Sequence, residues 1–246
     1  MAGLIKKFTG KPWRSETEPL KELCKILDFD SYRAFRYRKE IEEDTIFLET
    51  LKRRMSEWKS KGGKIKIWMN PECSKFLYVF CRLLQPEVVI ETGVGPGSTS
   101  SFLLMALKRN GRGRLYSVDF PGHYTFQLEK DLRDTMPDTE GYRVGWLVPE
   151  KLRQNWSITL GDSNSELPNL LRHIGTADIF LHDSLHTYEH MMFEFQSVWP
   201  HIARGGLLLS DDVEASLAER AFERFCIENK IRYTIIQHRL GAARKQ

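Results

Sequence analysis

The chain has 246 residues, 41% of them hydrophobic and 28% charged, with 37 Lys and Arg against 33 Asp and Glu. That length and apolar content suffice for one sizeable core and favour one α/β domain over two. The net charge of +4 is spread among acidic residues, with no compact basic patch and interleaved aromatics, so nucleic acid is not expected as a partner.

The opening MAGLIKKFTGKPWRS lacks the continuous apolar centre of a signal peptide, and no apolar run approaches the roughly 18 residues of a membrane span. A cytoplasmic protein with no membrane partner is expected. Cys24, Cys73, Cys81 and Cys226 show neither a CxxC nor a zinc-like spacing and read as reduced thiols.

EPLKELCKILDF puts Leu20, Leu23, Cys24 and Leu27 on one helical stripe. From Tyr32 to Lys61 there is no Gly or Pro, and Ile41, Phe47, Leu48, Leu51 and Met55 punctuate dense mixed charge, which predicts one or two amphipathic helices. Gly62-Gly63 ends this region. Residues 1–69 thus form a helical N-terminal extension, serving as a lid, as a contact in a homo-oligomer, or as both; residues 70–246 form the main domain.

Asn70-Pro71, an N-cap followed by proline at the first helical position, opens a helix to Leu84. VVIET is a strand buried on both faces, a helix follows from Ser98 to Arg109 with Asn110-Gly111 as its stop, and RLYSVD ends the next strand at Asp119. A long polar connection then carries a helix near Phe126–Arg133 and a loop with Trp146 and Pro149. Its aromatics, Tyr124, Phe126 and Trp146, either pack the loop or cover a substrate. SITLGD, ADIFLHD and GGLLLSDD are strands three to five, separated by the helices ELPNLLRHI and HTYEHMMFEFQSVWPHI. EASLAERAFERFCIENK is the next helix, and IRYTIIQ with RLGAARKQ makes a terminal hairpin. The alternation predicts a doubly wound, mostly parallel sheet of seven strands.

The stretch Glu91-Thr-Gly-Val-Gly-Pro-Gly97-Ser-Thr99 joins a strand to a helix. Gly93, Gly95 and Gly97 permit positive φ and close approach of a ligand, while the helix start at Ser98 and Thr99 offers free N–H groups to an anion. A glycine-rich turn serving topology alone is the plainer reading. The dinucleotide fingerprint requires glycine where Ser98 stands. The GxGxG spacing, with Glu91 two residues ahead, instead resembles motif I of class I S-adenosylmethionine-dependent methyltransferases. That resemblance implies a Rossmann-like fold and a loop around the methionine end of the cofactor. It also implies Asp119 on the ribose hydroxyls and Asp162 with Ser163 beside the adenine.

His182-Asp183-Ser-Leu-His186-Thr-Tyr188-Glu189-His190 follows strand four, and Ser210-Asp211-Asp212 follows strand five. Ligands of open parallel sheets gather at the carboxyl ends of strands, so Asp183, Asp211 and Asp212 should converge. Three crowded carboxylates repel unless neutralised, and a hard cation such as Mg²⁺ suits them. Such a cation lowers the proton affinity of a bound substrate oxygen. His186, three residues past Asp183, is the candidate general base.

The pattern resembles metal-dependent O-methyltransferases of the caffeoyl-CoA and macrocin types. Asp212 stands where the plant pattern has Asn, which favours the sugar-type comparison. The resemblance spans about Asn70 to Lys230 and implies a small-molecule hydroxyl acceptor. The alternatives are a metal-independent N- or O-methyltransferase using His186 alone, a nonheme-iron hydroxylase built on the His/Asp cluster, and a binding protein on a retired fold. An NAD(P)-dependent oxidoreductase fits the glycine spacing worst. Asp211-Asp212 also suits a helix cap, and His182, His186 and His190 at four-residue spacing suit packing on a helical face, as Tyr188 and Glu189 do.

Overall fold

Short aliphatic and β-branched runs build the sheet. The computed structural model describes residues 17–60, 71–120 and 144–246. Gly62-Gly63, Asn70, Tyr124, Phe126 and the helix predicted near Phe126–Arg133 lie outside the described residues. The strands are β1 Val88–Thr92, β2 Arg114–Asp119, β3 Trp156–Leu160, β4 Ala177–His182, β5 Ile202–Ser210, β6 Tyr233–Ile236 and β7 Leu240–Arg244. They form one seven-stranded sheet in the order β3-β2-β1-β4-β5-β7-β6. The pairings among β1 to β5 are parallel, and β7 runs antiparallel to both β5 and β6. The strand order reverses at β1, and the crevice above the carboxyl ends of β1 and β4 is the switch point where such sheets bind ligands.

The helices are α1 Thr17–Leu27, α2 Ser31–Glu42, α3 Thr45–Ser60, α4 Pro71–Leu84, α5 Ser98–Asn110, α6 Ser163–Ile174, α7 Tyr188–Val198 and α8 Ala221–Glu228. The stretch from Tyr32 to Lys61 breaks between α2 and α3 without Gly or Pro, because the Asp44 carboxylate accepts the Phe47 N–H at 3.0 Å and starts a new helix. The helix predicted over 214–230 is shorter than its sequence suggests. Glu219 and Arg220 adopt φ of +42° and +61°, so a 3₁₀ turn comes first and α8 begins only at Ala221. The terminal hairpin forms as its pattern suggests, turning on Gln237 and His238 at φ +52° and +57°. They are the central residues of a β-turn closed by the Arg239 N–H on the Ile236 carbonyl, and a turn with positive φ at both favours glycine or asparagine, here absent. No helix among the described residues is long and apolar enough to cross a membrane. All four cysteines are buried free thiols; burial pushes Cys24 and Cys73 up to about 12, which keeps them unreactive.

Alternate residues of β1 point into different cores: Val89 joins one cluster and Ile90 the other. Leu20, Leu27, Ile41, Phe47 and Leu51 of α1 to α3 belong to the first cluster, together with Leu77, Phe80 and Leu103 of α4 and α5. The N-terminal helices thus share a core with the sheet. A polar seam pins them: Arg82 donates to Glu40 at 2.9 Å, Tyr78 also donates to Glu40, and Arg109 pairs with Asp44. Glu40→Gln should therefore lower stability by about 1–2 kcal/mol, since it strips the charge from a shared hydrogen-bond acceptor. Urea unfolding would check this; an unchanged midpoint would mean that the apolar stripe alone docks these helices.

Candidate active site

Contacts within the protein hold the glycine loop in place. Gly93 has φ +80°, and a Cβ there would lie 1.9 Å from the Asp183 carbonyl oxygen. Gly97 has φ +87°, and its Cβ would lie 2.6 Å from Val148 Cγ2 and 2.9 Å from Gly145 Cα. At these two positions the close approach that demands glycine is made by the protein itself, beyond the ligand approach expected of the sequence. Gly95, at φ +50°, and Val94 donate their N–H groups to Asp119 Oδ2 at 2.8 and 2.6 Å. Gly145 and Leu147 donate to the carbonyls of Gly95 and Pro96, both at 2.8 Å, which clamps the loop from its other side.

Glu91 sits beneath the loop, wholly buried, accepting from Ser100 and Ser117 hydroxyls at 2.7 Å each. Burial pushes its carboxyl up to about 7 against the pull of those hydroxyls, and its Oε1 has no hydrogen-bond partner. Ser98 and Thr99 are buried in the first turn of α5, with Thr99 Oγ1 3.3 Å from Asp183 Oδ2. Asp162 is exposed and caps α6 through the Asn164 N–H at 2.8 Å, while Ser163 Oγ lies 3.0 Å from His190 Nε2. Phe120, the residue after β2, and Leu160, the last of β3, which sequence reasoning did not single out, have 44% and 60% of their surface exposed. An apolar residue where a strand stops is the sequence signal that could have found them.

The register of β4 on β5 sets His182 against Ser210, so Asp183 and Asp211 leave neighbouring strand ends together. Asp183 N–H donates to the Thr92 carbonyl and Asp211 N–H to the His182 carbonyl, both at 2.8 Å. Asp183, His186 and Asp211 each offer a ligand atom, all within 4.8 Å of one another. Asp212 stands outside that group; its backbone turns to φ +47° and its carboxylate lies 3.2 Å from Arg239 Nε. Arg239 also forks onto Asp211, donating from Nε at 2.9 Å and Nη2 at 2.7 Å. Sequence reading missed this arginine, because nothing local marks a residue of the β6–β7 connection as a partner of the β5 terminus.

The electrostatics follow from this crowding. Burial raises the Asp183 carboxyl well above the usual range, and the charges of Asp211, Glu91 and Asp212 add to it. Asp212 is raised by burial and by Asp211. Burial lowers His186 to about 3, with His182 and Arg239 acting in the same direction, and its Nε2 has no hydrogen-bond partner. His186 is therefore neutral, the form that accepts a proton or faces a metal.

The other two histidines serve a buried network. Glu194 Oε2 receives Thr92 Oγ1 at 2.6 Å and lies 2.6 Å from His182 Nδ1; Oε1 receives Ser184 Oγ at 2.9 Å and lies 2.9 Å from His190 Nε2. His182 ends β4 and is not on the helix, so the four-residue spacing crosses a strand end, a turn and α7. Tyr188 packs under Arg224 with 5.3 Å between guanidinium and ring centre, and Glu189 is exposed. Trp146 stacks on Trp58 at 4.9 Å, which anchors its loop to α3.

A parallel sheet with an antiparallel seventh strand, a glycine loop after β1 and an acidic residue ending β2 together define a class I S-adenosylmethionine-dependent methyltransferase. Residues 90–213 match the family described as Methyltransferase domain, and the chain belongs to that family. No curated protein matches it. Among solved structures, the cofactor-bound protein Rv0187 from MTB is similar at 16% identity, covering 80% of this chain and 89% of its own, with a TM-score of 0.59. An O-methyltransferase from Bacillus cereus in complex with SAH gives 13% identity, coverage of 80% and 91%, and a TM-score of 0.56. CalS11, a TDP-rhamnose 3′-O-methyltransferase of calicheamicin biosynthesis, gives 16%, coverage of 96% of both chains, and 0.51. At these identities the likeness is one of fold.

Proposed function

We propose that this enzyme methylates a hydroxyl oxygen of a small molecule, with a divalent cation at Asp183 and Asp211 and with His186 as proton acceptor. The observation that carries this reading is the convergence of Asp183, His186 and Asp211 within 4.8 Å beside the glycine loop. The unpartnered Nε2 of His186 speaks for a ligand in the same place. Two carboxylates suit Mg²⁺, which completes its shell with water, while a nearby imidazole also admits Mn²⁺. S-adenosylmethionine supplies the electrophilic methyl, and the cation, when bound, makes the acceptor hydroxyl more acidic.

The chain's own residues bind and align. The glycine loop and the start of α5 cradle the methionine end of the cofactor, Asp119 reaches the ribose, and Phe120 and Leu160 flank the adenine near Asp162 and Ser163. Asp183 ties the two halves together, its backbone packed on Gly93 and its carboxylate in the acidic cluster. Alignment of the acceptor oxygen with the methyl provides most of the acceleration. His186, as a weak base, takes the proton only from a hydroxyl already acidified, so the cation and the base act together.

A panel of sugar and phenolic hydroxyls, assayed for S-adenosylhomocysteine release, tests the proposal. Chelator should abolish turnover and Mg²⁺ restore it. His186→Gln should lower kcat by about 10²–10⁴-fold and leave S-adenosylhomocysteine affinity unchanged. Chelator-insensitive turnover would replace this reading with a metal-independent enzyme, and a requirement for Fe(II) and an oxidant would replace it with a hydroxylase.

A further inference from the structure

Asp211 is only 1% exposed, and both of its oxygens are already occupied by the Arg239 fork. The same guanidinium reaches Asp212 at 3.2 Å. Its backbone is fixed twice: Arg239 N–H donates to the Ile236 carbonyl and the Arg239 carbonyl accepts the Val213 N–H, both at 3.0 Å. The side chain is thus held at the β5 terminus from the hairpin and from the loop after β5. Arginine stays charged at every ordinary pH, and its planar fork matches a carboxylate better than a lysine does. The acidic cluster, which by sequence alone lacks a neutralising charge, has one built in.

A divalent ion held by Asp183 and Asp211, beside His186, meets this cation already bonded to both oxygens of Asp211. It must share that carboxylate, and it is repelled by the guanidinium across a few ångströms of partly desolvated protein. Like charges so placed weaken the second comer.

We propose that Arg239 is the resident counter-ion of the acidic cluster and sets its affinity for divalent cations, so that metal enters in competition with the Arg239–Asp211 pair. The inference rests on the cation reading given above. It explains why Asp212 is drawn out of the three-donor group, since its carboxylate follows the arginine. One positive charge against three carboxylates still leaves a net negative site, which fits weak, reversible loading with metal.

The test is calorimetric titration of Mn²⁺ into the full-length wild type, Arg239→Gln, Arg239→Lys and Asp183→Asn, each first checked for S-adenosylhomocysteine binding as a measure of folding. Arg239→Gln should bind Mn²⁺ at least tenfold more tightly than wild type, Arg239→Lys should gain less, and Asp183→Asn should lose binding. Thermal melting gives a second readout. Arg239→Gln should melt below wild type without metal and recover more on adding Mn²⁺, because a ligand specific for the native state stabilises in proportion to its affinity. Equal or weaker Mn²⁺ binding by both arginine variants overturns the proposal and leaves Arg239 as an orienting partner of Asp211. Absence of Mn²⁺ binding in every protein overturns the cation reading itself, and this inference with it. If Arg239→Gln does not fold, the same comparison stands on Arg239→Lys, where an unchanged affinity is the overturning result.

Discussion

Gly93→Ala is expected to abolish S-adenosylhomocysteine binding and to cost about 2–5 kcal/mol of stability, the sum of a left-handed non-glycine residue and an overpacked contact. Its Cβ would lie 1.9 Å from the Asp183 carbonyl oxygen and 2.8 Å from Ser184 Cα. Both are backbone atoms, and Asp183 is further tied by its N–H to the Thr92 carbonyl at 2.8 Å, so no flexible end can yield. Relief requires moving the loop off β4, which displaces the cofactor cradle and the acidic cluster at once. Gly111→Ala is the control. Gly111 also has positive φ, at +68°, but nothing lies within 4 Å of its Cβ, so only about 1 kcal/mol should be lost. Calorimetry and urea unfolding of both variants decide the matter. An affinity within twofold of wild type in Gly93→Ala would mean that the loop accommodates the methyl and that the two sites are not mechanically joined.

Glu194→Ala should destabilise the protein by about 3–5 kcal/mol, the range for removing one partner from a buried charged network. The loss leaves Thr92 and Ser184 without acceptors and His182 and His190 without their shared carboxylate. Glu194→Gln should cost less, because an amide oxygen still accepts. Burial alone would raise this carboxyl, but the His182 and His190 contacts outweigh it and hold it well below the usual range. A depressed folded-state pKa means that the stabilisation is complete above the unfolded value of about 4.3 and is withdrawn as pH falls below it. Urea midpoints measured downward from neutral pH should fall more steeply in wild type than in Glu194→Gln below that point. A loss under about 1 kcal/mol in Glu194→Ala, the net worth of one ordinary hydrogen bond, would show that water replaces the carboxylate and that the network is peripheral to stability.

Much of the fold was legible in local pattern. VVIET has the composition of a strand buried on both faces, RLYSVD and ADIFLHD also have strand patterns, and each segment forms a strand. Asn110-Gly111 marks the stop of α5 in the sequence, and Gly111 closes the helix in the left-handed region. What local pattern concealed has specific causes. The α2–α3 break hangs on the Asp44 carboxylate, and the late start of α8 on two left-handed residues, Glu219 and Arg220, whose side chains do not advertise that conformation. His182 shares a four-residue spacing with His186 and His190, a helical pattern that cannot register that β4 ends at His182 before α7 begins at Tyr188. Trp146 could not be decided alone, since its partner Trp58 lies in a helix far back in the chain.

The sequence by itself determined the order of strands and helices, the glycine loop with its acidic companions, and the placement of Asp183 and Asp211 at strand ends. These depend on residue type and short spacing, which govern backbone conformation directly. Only the tertiary structure decided that Gly93 must yield to Asp183, that Glu194 gathers two histidines, and that Arg239 faces the acidic cluster. These contacts join separate elements of the chain and are set by sheet register and by the antiparallel pairing of β7 with β5. Side-chain charges act through space over a few ångströms, so the electrostatics of the site exist only once the chain has closed on itself.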